Sequence, residues 1–183
     1  MLGSLANAWK IPELRMKLLF TFAMLAAYRL GAYIPLPGVD PSVLGGGLQS
    51  SNPITGLFGT FTGGAFNNFS VFSLGIMPYI TAAIVMQLMT VAIPRLQELA
   101  KEGETGQQKI TQYTRYFTLA LALVQSVAMV LFFRSAQGGG ALAGTSPIEI
   151  LVAIVTLTAG VMLTMWFGEL ISQRALTRML HDP

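Results

Sequence analysis

The chain has 183 residues, 53% of them hydrophobic and 10% charged, with a net charge of +3 and no cysteine. An ordinary soluble domain is about one quarter charged, so this much apolar surface points to a membrane protein. The lack of cysteine excludes disulfides, thiol nucleophiles and thiolate metal sites.

The chain opens on "MLGSLANAWKIPELRMK", polar, broken by Pro12, with its basic residues ahead of a long apolar run. That run outlasts a signal-peptide core and no small-residue cleavage site follows it, which predicts a retained first span. Four stretches have the apolar length of a span: 18–36 (interrupted by Arg29), 70–93, 116–133 and 150–168. A helix needs about 20 residues to cross the hydrocarbon core, and unpaired backbone is not tolerated there. The expected fold is an all-α integral membrane helix bundle with four transmembrane helices and one half-membrane helix. A soluble bundle would show polar stripes at helical spacing.

Segment 37–69 follows the first span. It is glycine-rich and nearly uncharged. Within it Asn52 and Pro53 form a helix start, an N-cap followed by proline at the first position. Ile54, Leu57, Phe58 and Phe61 then share one face, and Gly63 and Gly64 stop the helix. Some ten residues rise only about 15 Å, half a bilayer. Such a helix is either re-entrant, surrounded by protein, or flat on the interface. The lack of Lys and Arg on its polar face favours the first. Glycines on both sides leave it room to move.

In the second span Ile76 and Ile80 stack one turn apart, and Gly75 and Pro78 either bend or start the helix. Two β-branched apolar side chains so placed suit a constriction that excludes water, or ordinary helix packing. Thr81 and Gln87 here, and Gln125 in the third span, are expected to hydrogen-bond across helices, as fixed glue or as contacts that break when helices part. Segment 94–115, with Lys101, Glu102, Lys109 and Arg115, reads as a solvated linker or as a docking surface for a cytoplasmic partner. Arg29 is either a functional intramembrane charge or a side chain that snorkels to the nearby outer interface, the plainer reading.

With the N-terminus in the cytoplasm, Lys10, Arg15, Lys17, Arg95, Lys101, Lys109, Arg115, Arg174 and Arg178 lie inside, against Arg29 and Arg134 outside. That asymmetry predicts that both termini, 1–17 and 169–183, are cytoplasmic and that 134–149 is an outer loop. Catalysis has little support. His181 is the one histidine, no hydrolase or metal motif occurs, and neither Gly45–Gly47 nor Gly138–Gly140 leads into a phosphate-binding Lys-Ser/Thr. Glu149 and Glu169 are expected to face the interfaces at the ends of the fourth span. No enzyme activity, cofactor or metal is expected.

"AAYRLGAYIPLPGVD" (26–40), "SVFSLGIMPYITAAIVMQLMTV" (70–91) and "KEGETGQQKITQYTRY" (101–116) together resemble the SecY family, pore subunits of the bacterial protein-conducting channel. The resemblance extends from the N-terminus to about residue 174. It implies the N-terminal part of a ten-span clamshell around an hourglass pore, in the bacterial inner membrane. It assigns 53–62, with Pro53, Ile54, Leu57, Phe58, Phe61, Gly63 and Gly64, to the plug. It assigns Ile76 and Ile80 to the apolar pore ring. Thr81 and Gln125 fall near the polar contacts of the lateral gate, through which signal sequences and membrane segments leave. The implied function is passage of unfolded secretory polypeptides across the membrane, with SecE-like and SecG-like subunits. A SecA motor or a ribosome would supply the energy.

Two departures qualify this. Gln107 and Gln108 stand where the family has basic residues, against docking there. After Glu169 the tail "LISQRALTRMLHDP" replaces the family's Gly-Ile-Gly-Asn-Gly stretch. The expectation is a fragment, or a chain whose remaining spans of the SecY fold are supplied separately. Four spans alone would not close the pore. The competing reading is half of a small-molecule or ion transporter with a re-entrant helix, which would need an ion site that these spans lack.

Overall fold

The computed structural model describes residues 12–39, 53–134, 142 and 144–176. Six helices lie among them: α1 (Pro12–Gly31), α2 (Pro53–Phe61), α3 (Met77–Ala92), α4 (Pro94–Lys101), α5 (Glu104–Arg134) and α6 (Pro147–Leu176). No named strand occurs among the described residues, only an isolated antiparallel bridge between Pro35 and Ser70. Asn52, His181, Lys10, Arg178 and the two triple-glycine runs lie outside the described residues.

Prolines set the helix starts. Pro12, Pro53, Pro94 and Pro147 are each the first residue of a helix, where the missing N–H costs nothing. Ser146 and Glu149 add a capping box to α6: the Ser146 amide donates to the Glu149 carboxylate (2.8 Å), and the Glu149 amide to the Ser146 hydroxyl (3.4 Å). Glu149 is therefore occupied at the helix start.

The centre of the fold is the pair α5 and α6. Ala122, Val130 and Phe133 of α5 meet Ala153, Leu157 and Val161 of α6 in one buried cluster. The Ser126 and Thr158 hydroxyls, both buried, lie 3.2 Å apart within that interface. Helix pairs in lipid gain little from apolar burial, so such contacts carry part of the association. Ser126→Ala is expected to cost about 0.6 kcal/mol, read as a small drop in the unfolding temperature in detergent. α3 packs along α5 and α1 along α6.

Helices α5 and α6 are long and apolar enough to cross a membrane, and α3 with α4 forms a third candidate bent by 99°. The bend has a local cause. Ile93 is extended (φ −106°, ψ 114°), as residues before proline prefer, and Pro94 cannot continue the hydrogen bonding of α3. Helix α1 has 20 residues but fails on charge: every 18-residue stretch of it holds at least Arg15, Lys17 and Arg29.

Two expectations about element bounds are revised. Ser70 forms the isolated bridge and residues 71–76 form turns, and α3 has 16 residues, about 24 Å. The segment is held by its own long-range partners: the Leu36 amide donates to the Phe69 carbonyl (2.8 Å) and the Val71 amide to the Ile34 carbonyl (3.1 Å). Phe69 (φ 44°) and Gly75 (φ 58°) have left-handed backbones that no helix accommodates. Segment 94–115 is no linker. It is α4 plus the first turns of α5, joined at Glu102–Gly103. A Cβ on Gly106 would lie 1.8 Å from the Leu99 carbonyl oxygen, so these two helices meet backbone to backbone.

Candidate functional site

The short helix α2 ends in a Schellman motif. The Gly63 amide donates to the Thr60 carbonyl (3.2 Å) and the Gly64 amide to the Gly59 carbonyl (2.7 Å). Gly63 (φ 61°) supplies the left-handed residue this turn requires. The helix is seated by its C-terminal end. Gly59 and Thr62 are buried, and a Cβ on Gly59 would come within 2.8 Å of the Asn67 side-chain amide. Of the apolar face expected from its spacing, Leu57 is 61% exposed and Phe61 74% exposed. Both are left for whatever surrounds the helix beyond the described residues. For Pro53, Ile54 and Phe58 only the backbone, within α2, is described.

Thr62 joins this helix end to α3. Its Cγ2 lies 3.1 Å from where a Gly75 Cβ would be, next to Ile76. Ile76 caps α3 (φ −96°, ψ 0°), with proline in the first turn, so Gly75 and Pro78 start the helix rather than bend it. The Ile80 amide donates to the Ile76 carbonyl (3.1 Å), which fixes the two isoleucines one turn apart. Ile76, Ile80, Ile84 and Leu88 are all exposed, at i, i+4, i+8 and i+12, whereas Pro78, Ala82 and Met86 are buried. An apolar ridge thus runs down the unpacked side of α3, beginning beside the base of the short helix.

The residues expected at helix contacts are placed differently. The Thr81 hydroxyl donates to the Met77 carbonyl of its own helix (3.0 Å) and is exposed. Gln125 is half-buried, and the buried polar contact of its helix is made by its neighbour Ser126. Gln87 lines a cavity of about 240 Å³ between α3, α4 and α5, with Tyr79, Thr90, Gln107 and Thr111. Gln107 is itself exposed, at the edge of this cavity.

Of the charged candidates in 94–115, Lys109 pairs with Glu102 (3.7 Å). Arg115 makes a two-pronged ion pair with Glu169, Nε to Oε1 at 2.8 Å and Nη2 to Oε2 at 2.5 Å. The Glu169 side chain is 10% exposed. Lys101, in the last turn of α4, is exposed. Among the described residues no cluster of potential metal ligands occurs.

The family model for SecY matches residues 70–178, more than half of the chain. The chain belongs to the SecY family. Its membership, with the long apolar helices α5 and α6, makes it a membrane-embedded helix bundle. It is 46% identical over 186 aligned positions to the protein translocase subunit SecY of Streptomyces scabiei, covering 96% of this chain and 43% of that one. Against the same subunit of Staphylococcus carnosus the identity is 43%, covering 94% and 40%. For Thermus thermophilus it is 45%, again covering 94% and 40%. The chain thus spans less than half the length of these curated relatives.

Proposed function

We propose that this chain supplies the N-terminal part of the central subunit of a protein-conducting channel, with α2 as its plug and Ile76 and Ile80 in its apolar pore ring. The observation that carries this is the juxtaposition of a half-membrane helix, whose C-terminal end is seated at Thr62, with the start of an apolar ridge on α3. An apolar ring holds back water and ions because wetting it is unfavourable, and a passing chain takes the place of water there. In this reading no bond is made or broken. The unfolded secretory polypeptide and its signal sequence are the cargo. SecE-like and SecG-like subunits, the remaining spans of the fold and a SecA motor or ribosome are the partners. The proposed place is the bacterial inner membrane, with both termini cytoplasmic. Sideways exit into lipid would occur along α3 and α5, near Thr81 and Gln125. Of the proposed docking residues Lys101, Glu102, Lys109 and Arg115, Lys101 keeps the most accessible charge, since the others are paired within the chain.

A photoreactive residue at Ile76 or Ile80, in the assembled translocase with a secretory chain stalled in transit, is expected to crosslink to that chain. The same probe at buried Ala82 is not. Equal crosslinking from the two faces of α3, or none from Ile76 and Ile80 in assembled protein, would remove them from the pore.

A further inference from the structure

Two side chains of α1 reach the end of α2. The Tyr28 hydroxyl donates to the Thr62 carbonyl (3.2 Å), and the Arg29 guanidinium donates to the Gly63 carbonyl. The last carbonyls of a helix have no partners within it and carry the negative end of its dipole. The Schellman amides occupy the Gly59 and Thr60 carbonyls and the Ala65 amide reaches the Thr62 carbonyl (3.2 Å), so Tyr28 and Arg29 add side-chain donors from another element at and just past the helix end. Both donors have further ring contacts of their own. The Tyr28 ring stacks on Phe72 (5.1 Å between centroids, 15° between planes), and the Phe72 ring covers Gly31. The Arg29 guanidinium lies over the Tyr33 ring (5.4 Å) with Nη2 3.5 Å from the Tyr33 hydroxyl.

We propose that Tyr28 and Arg29 are positioning residues that hold the short helix in its resting seat by capping its C-terminal carbonyls. This rests on the reading of α2 as a plug. Swinging α2 out about Gly63 and Gly64 turns the Thr62 and Gly63 carbonyls away from α1, so displacement must break both contacts. The cost is greater at Arg29. Arg29 donates from a charged group, and a charged hydrogen bond is stronger than the neutral one from Tyr28. The closed state is thereby favoured by an interaction that the displaced state lacks.

The test is single-channel recording of the assembled translocase in planar bilayers with no polypeptide in transit. It compares the parent with Arg29→Met, Arg29→Lys, Tyr28→Phe and a deletion of residues 53–62. The deletion is expected to leak ions. Arg29→Met is expected to raise the open fraction per assembled channel roughly ten- to hundred-fold, the range for losing a charged hydrogen bond. Arg29→Lys should restore part of the closure, because it keeps the charge and loses the fork. Tyr28→Phe, which keeps the ring on Phe72, should raise leakage by a few-fold. If the deletion leaks while Arg29→Met and Tyr28→Phe stay as closed as the parent, the positioning role is overturned and the plug reading stands. A deletion that does not leak removes the plug reading and the proposal with it. If Arg29→Met lowers only the amount of assembled protein, its role is structural and the proposal fails for Arg29. Should that variant not assemble at all, Tyr28→Phe still decides.

Discussion

Gly160→Ala is expected to lower the unfolding temperature of the purified protein sharply and to expose residues 62–76 to protease. The added methyl would sit 2.1 Å from the Val71 carbonyl oxygen and 3.0 Å from its carbonyl carbon. A flexible side chain could give way, but this neighbour is backbone. Nor can the Val71 peptide move alone, since its amide donates to the Ile34 carbonyl (3.1 Å) and the adjacent Ser70 bridges Pro35. Either α6 backs out of the cluster around Leu157 and Val161 or the turn segment lifts away from it. Overpacking of a tight contact costs about 1–3 kcal/mol, and a rigid backbone neighbour puts this site at the upper end. The turn segment also carries Thr62 at the base of the short helix and Gly75 at the start of α3. The same substitution is therefore expected to raise the resting leak in assembled channels. Gly168, with nothing within 4 Å of its would-be Cβ, is the control: Gly168→Ala should be neutral or slightly stabilising. Equal effects at the two glycines would show that the close approach at Val71 does not constrain the fold.

What could be read from the sequence was local. The short helix was legible because proline at its start and glycine at its end act within a few residues, and the structure gives Pro53–Phe61 with Gly63 in the turn. Apolar runs marked α5 and α6 for the same reason. The capping box at Ser146 and Glu149 was equally local and could have been read from Ser-Pro-Ile-Glu. Apolar composition alone does not distinguish residues 70–76 from the helix that follows them. Phe69, Phe72 and Leu74 are apolar because they are core, and the segment folds into turns only through partners near residue 35. Thr62 with Tyr28, Gly63 with Arg29 and Arg115 with Glu169 lie 34, 34 and 54 residues apart and leave no periodic signal. Arg29 was read against the outer interface because the partner offered to it is a backbone carbonyl, invisible to residue type.

Arg115→Met is expected to destabilise the chain far more than Glu169→Leu, although each removes one half of the same ion pair. The asymmetry follows from burial. The Glu169 side chain is 10% exposed and Arg115 is 41% exposed. Without Arg115 a carboxylate is left nearly dry between α5 and α6. Without Glu169 the guanidinium still reaches water. Stranding one partner of a fully buried pair costs about 3–5 kcal/mol. Here solvent at Arg115 screens the pair, which brings the expected loss for Arg115→Met to about 2 kcal/mol. Glu169→Leu should cost less than about 1 kcal/mol, because a buried pair gains little over an apolar pair of similar size. Adding Glu169→Leu to Arg115→Met should then recover most of the loss. Arg115→Lys should recover only part of it, since an ammonium cannot make both the 2.8 Å and the 2.5 Å contacts of the fork. A double-mutant cycle on thermal unfolding in detergent measures all four. Equal costs for the two single variants would mean that Glu169 is as well hydrated as Arg115 when alone. The pair would then be a surface contact that adds little to holding the two long helices together.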